Sequence, residues 1–129
     1  MELNIRMNKF YILIISLCLL ACGAKEEKVI GEIELLEKAQ FEEVIQGDVL
    51  LVDVRTPAEY DAGFIPGAVN IDFKQDDFEQ RMKHFDKDVP VAVYCAKGGR
   101  SAGAAEKLKA LGFKKVYDLK GGYTNWNTP

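Results

Sequence analysis

The chain has 129 residues, 48% of them apolar and 29% charged, with a formal net charge of −3. That balance excludes collagen, coiled coil and wholesale disorder, and the length suits one domain around one core. A mildly acidic chain lacks the basic footprint of a nucleic-acid binder. One His and three Cys do not supply the ligands of a multi-Cys zinc module. Neither nucleic acid nor a metal is expected, and composition sets no oligomeric state.

In chain order, Arg6 and Lys9 precede an apolar run over residues 10–20, FYILIISLCLL. Eleven residues fall short of the about 20 that a helix needs to cross a bilayer. A basic start, a short apolar stretch and small residues at its end mark an export signal. The ending, Leu19-Leu20-Ala21-Cys22, resembles a bacterial lipobox. The resemblance implies a signal over residues 1–21 and a lipidated Cys22 that anchors the chain in the bacterial cell envelope, on a periplasmic or outer-membrane face. Each buried CH₂ of such a lipid is worth about 0.8 kcal/mol. Residues 22–31, small and charged, form a tether, and residues 32–129 the folded domain. Cleavage before Cys22 would remove Cys18 and block the Cys22 sulfur. Cys95 would then be the only free thiol and no intrachain disulfide could form. An unpaired Cys in an exported chain is either a small core hydrophobe or a reactive thiol.

The domain reads as alternating strands and helices. Residues 33–36 form a short edge strand. Residues 39–46 (AQFEEVIQ) place Phe41, Val44 and Ile45 at helical spacing. The apolar run 49–54 (VLLVDV) suits a buried parallel strand. Thr56-Pro57-Ala58-Glu59 is a helix start with its capping box, and Gly63 ends that helix. Residues 68–71 give another strand, and 74–85 an amphipathic helix with Phe78, Met82 and Phe85 on one face. A second buried strand spans 89–94. A helix over 100–111 buries Ala104, Leu108 and Leu111 and stops at Gly112. Residues 115–119 make the last strand, and Gly121-Gly122 opens a short helix holding Trp126. This alternation predicts an α/β fold: a small parallel sheet of about five strands with helices on both faces.

The chemistry is concentrated in Cys95-Ala96-Lys97-Gly98-Gly99-Arg100-Ser101, which joins a buried strand to a helix. Sites form at this edge of an open α/β sheet. Loop N–H groups and the helix N-terminus can converge on one atom. Together with the cations of Lys97 and Arg100, they lower a thiol pKa. Gly98 and Gly99 allow a tight curl around the sulfur. Asp53, at a strand end, is expected to bond loop amides or pair with a cation. Arg55 is expected to pair with Glu59 or to line the pocket mouth. His84, Tyr123 and Trp126 read as surface or packing residues.

These residues resemble a single-domain rhodanese, a persulfide-forming sulfurtransferase. Cys95 to Arg100 fits Cys-x-x-Gly-x-Arg. Asp53-Val54-Arg55, Glu59-Tyr60, Gly63 and Ile65-Pro66-Gly67-Ala68-Val69-Asn70-Ile71 resemble the upstream signature. Gly112-Phe113, Val116, Leu119, Gly121-Gly122 and Trp126 resemble the C-terminal one. Phe64 departs from the family's usual His, and a packing change is expected there. The resemblance implies that Cys95 takes a sulfane sulfur from a donor such as thiosulfate and passes it to a thiol or cyanide. The amides of Ala96 to Ser101 would hold the terminal sulfur, and Lys97 and Arg100 would attract the donor. No cofactor and no general base are implied. Two alternatives share the fold: a phosphatase or arsenate reductase, and a rhodanese-like module that carries sulfur or binds a partner without turnover. The phosphatase loop places five residues between Cys and Arg, whereas four stand here.

Overall fold

The computed structural model describes Gly23 and residues 30–129. The signal, Cys22 and most of the tether lie outside the described residues. The domain holds five strands: β1 Glu32–Leu36, β2 Leu50–Asp53, β3 Val69–Asn70, β4 Val91–Tyr94 and β5 Lys115–Leu119. Five helices connect or follow them: α1 Lys38–Val44, α2 Pro57–Asp61, α3 Phe78–Met82, α4 Gly99–Ala110 and α5 Gly122–Trp126. The strands form one sheet, ordered β1-β5-β4-β2-β3, and every pairing is parallel.

Side chains alternate across a strand, and this alternation divides the core. Val91, Val93 and Cys95 face α3 and α4, where they meet Phe78, Met82, Ala104, Ala105 and Leu108. Ala92 and Tyr94 face the other layer, with Phe41 of α1 and Leu36, Ile65 and Leu119. Tyr60 of α2 and Tyr123 and Trp126 of α5 pack onto that second cluster. The expected α/β sandwich is therefore present, with helices on both faces.

Element boundaries differ from the sequence expectation mainly at α3. A helix over residues 74–85 was expected, but only Phe78–Met82 is helical. The Asp72 carboxylate accepts the Lys74 N–H at 2.9 Å, and this local turn competes with helix formation. β3 has only two residues. The Asn70 amide holds it in place, donating to the carbonyls of Asp53 and Arg55 at 3.0 and 2.9 Å. At α2 the expected cap is formed: the Thr56 hydroxyl accepts from the Glu59 N–H, and Glu59 reaches back to Thr56.

Strand order places the site. After β2 the chain turns outward to β3, and after β4 it turns to β5 on the other side. A crevice opens where connections diverge in this way, at the carboxyl ends of the strands. Here it lies beyond Asp53 of β2 and Tyr94 of β4, where the segment from Cys95 to Arg100 begins.

Candidate active site

Cys95 follows β4 directly and is 1% exposed. Its Sγ accepts the Gly98 N–H at 3.0 Å and lies 3.4 Å from the Ser101 Oγ. The loop bends back on the sulfur because Gly98 takes φ 111°, the left-handed region that suits glycine. Gly99 has ordinary backbone and open space beside its Cα. The curl therefore needs Gly98 alone, whereas the sequence suggested both glycines. Burial pushes the Cys95 thiol up, but hydrogen bonds from the Ser101 hydroxyl and from the Ser101, Gly98 and Lys97 amides outweigh it, and the net shift is downward. Loop donors, rather than the cations of Lys97 and Arg100, lead this stabilisation. A lowered pKa raises the fraction of thiolate, the form in which a cysteine sulfur acts as a nucleophile.

The loop rests on α5. The Tyr123 N–H donates to the Cys95 carbonyl at 2.7 Å and the Thr124 N–H to the Ala96 carbonyl at 3.0 Å. Gly122, at φ 60°, makes this approach possible; a Cβ there would stand 2.6 Å from the Ala96 carbonyl carbon and closer still to the Cys95 oxygen. Gly122 was assigned no site role from the sequence. The Gly121-Gly122 pair was the available signal, since paired glycines mark close backbone approach.

Arg100 does not stand free. Its guanidinium donates to both carboxylate oxygens of Glu59, at 2.7 and 2.9 Å. The Arg100 hydrogen bond leads the causes that hold the Glu59 carboxyl down at about 2, burial opposing it. Lys97 is exposed and has no ion-pair partner among the described residues.

The expected pair between Arg55 and Glu59 is not formed. Arg55 instead chelates Asp53, with contacts of 2.6 to 3.1 Å, and donates to the Gly63 carbonyl at 2.7 Å. Asp53 and Arg55 are 0% and 4% exposed. A buried carboxylate demands a cation, and Arg55 is near enough in the chain to reach it. Its guanidinium also lies 4.2 Å from the Tyr123 ring centroid. The Asp53–Arg55 pair packs with Tyr94 and Tyr123 on the sheet face opposite the Cys95 side chain, so Arg55 does not line the mouth. Phe64 stacks on Tyr60 with centroids 4.2 Å apart. The open depression of about 280 Å³ lined by Val49, Leu50 and Phe85 lies at the opposite, amino-terminal end of the sheet.

The profile of the Rhodanese-like domain family matches residues 36–129, and the chain belongs to that family. It is 42% identical over 79 residues to a sulfurtransferase of Allochromatium vinosum, a stretch covering 61% of this chain and 72% of that protein. It is 42% identical over 76 residues to the uncharacterised protein YqhL of Bacillus subtilis, covering 59% of each. Among solved structures, a rhodanese-related protein from Thermoplasma volcanium matches at TM-score 0.65 and 32% identity, over 74% of this chain and 95% of that one. A rhodanese-like domain protein from Staphylococcus aureus matches at TM-score 0.65 and 29% identity, over 73% and 91%.

Proposed function

We propose that this protein is a sulfurtransferase that carries a sulfane sulfur on Cys95. The observation that supports this reading best is the Cys95 Sγ held by the Gly98 N–H and the Ser101 hydroxyl at the carboxyl end of β4. In the proposed cycle the Cys95 thiolate attacks the outer sulfur of a donor such as thiosulfate. The new S–S bond forms as the donor's own S–S bond breaks, and the leaving group departs with the electron pair. The amides of Ala96 to Ser101 hold the terminal sulfur of the Cys95 persulfide. A thiol or cyanide then takes that sulfur and releases the Cys95 thiolate, a ping-pong cycle. No proton transfer from His84 is needed, and that residue is exposed on the surface. The sulfurtransferase name of the Allochromatium relative favours this chemistry over phosphoryl transfer. So does a loop with only four residues between Cys95 and Arg100.

Intact-mass spectrometry after incubation with thiosulfate tests the proposal. The protein is expected to gain one sulfur, about 32 Da, as a persulfide. A small thiol should reverse the gain, and Cys95→Ser should never show it. Absence of the adduct together with hydrolysis of a phenyl phosphate would replace this reading with the phosphatase one.

A further inference from the structure

Arg100 is the loop cation that an anionic donor would meet, and it is already engaged. Glu59 takes both of its terminal nitrogens in a bidentate pair, with the two side chains only 23% and 35% exposed. Two-pronged pairs of this kind are stronger and more directional than ordinary surface contacts. The buried Asp72 and the Cys95 sulfur also lie within the field of Arg100. Cys95 when ionised, Glu59 and Asp72 all act on Arg100 as negative charges, so Arg100 has little positive field left to offer a dianion; Lys97 is the exposed cation of the loop.

We infer that Glu59 is a specificity-determining residue: by holding Arg100 in a neutral pair, it makes the Cys95 pocket react faster with singly charged sulfane-sulfur donors than it would with Arg100 free to favour a dianion such as thiosulfate. This rests on the sulfurtransferase reading above. The chemistry is the same for each donor and differs only in charge. With thiosulfate, the Cys95 sulfur bonds the outer sulfur and sulfite leaves as a dianion with the electron pair. With methanethiosulfonate, in which a methyl group replaces one charged oxygen, methanesulfinate leaves as a monoanion. Neither step needs a proton or an outside redox partner.

The test measures second-order rate constants of Cys95 persulfide formation by quenched mass spectrometry, for both donors, in the wild type and in Glu59→Gln. Glutamine keeps an oxygen for the Thr56 contacts that cap α2 and removes the charge together with one of the two acceptors facing Arg100. Intrinsic donor reactivity cancels in the comparison. The thiosulfate-to-methanethiosulfonate ratio is expected to rise about tenfold in the variant, the scale of one unit charge across a partly solvated mouth. Added salt should speed the wild-type thiosulfate reaction and affect the variant less, because it screens the repulsion. Thr56→Ala weakens the same cap but leaves the charge, so it should keep the wild-type ratio. A ratio unchanged within about twofold in Glu59→Gln, with adducts still forming, would overturn the inference alone. An equal shift in Thr56→Ala would overturn it too, by assigning the effect to the helix start. No adduct from either donor in either protein would overturn the sulfurtransferase reading itself.

Discussion

Asp118 is the residue in greatest tension with its surroundings. It is 4% exposed, and its Oδ1 has no hydrogen-bond partner among the described residues. Burial pushes its carboxyl up to about 6, with the Ser101 hydroxyl opposing. That one hydroxyl also lies 3.4 Å from Cys95 Sγ and 3.2 Å from the Gly98 carbonyl. Because the folded chain holds the Asp118 proton more tightly than the unfolded chain, Asp118 costs little below about pH 4. Its penalty grows as pH rises through about 6 and then levels off, at an order of about 2–3 kcal/mol. Asp118→Asn should therefore gain stability over the wild type at pH 8 and lose that advantage at pH 4, as read by urea denaturation at both. The Glu59 partnership teaches a related lesson. Arg55 and Glu59 are four apart, which is a contact spacing only within one helix. Helix α2 begins at Pro57, so Arg55 lies outside it and turns to Asp53. Glu59 is then left for Arg100, 41 positions away in sequence, a contact that no local spacing announces.

The elements around Cys95 separate a glycine that must be glycine from one that need not be. Gly122 lets α5 take up the Cys95 and Ala96 carbonyls. Gly122→Ala should destabilise the protein by about 2 kcal/mol or more, combining a left-handed backbone with a backbone clash. The same change should also slow Cys95 alkylation or persulfide formation, because the loop must move. Gly99, in the first turn of α4 with open space beside it, should accept Ala with a small gain, up to about 1 kcal/mol. Thermal melting of the two variants side by side checks both. The α2 cap and the last strand were legible because their signals are local: Thr56-Pro57 with Glu59, and the run 115–119. Helix α3 was overestimated because Phe78, Met82 and Phe85 show helical spacing, while the Asp72 turn that shortens the helix lies upstream of that pattern.

At the scale of the molecule, we propose that the lipobox-like ending Leu19-Leu20-Ala21-Cys22 tethers the protein to the cell envelope. Expressed with its own leader in a bacterial host, the protein should take up an alkyne-labelled fatty acid and partition with membranes, and Cys22→Ala should abolish both. Two acyl signals suffice for stable anchoring where one is marginal. Family and fold class were readable from the chain, and so was the loop that holds the candidate site, because strand–helix alternation and the Cys95-to-Arg100 motif depend on residues close together in sequence. Tertiary structure alone decided what each charge does. It sent Arg55 to Asp53 on the far face of the sheet, closed Arg100 onto Glu59, and set Asp118 beside Ser101. The physical reason is that an ion pair is settled by burial and by the crossing of distant elements. In this fold the strand order β1-β5-β4-β2-β3 pairs Asp53 of β2 with Tyr94 of β4 and so brings Glu59 and Arg100, 41 positions apart, together.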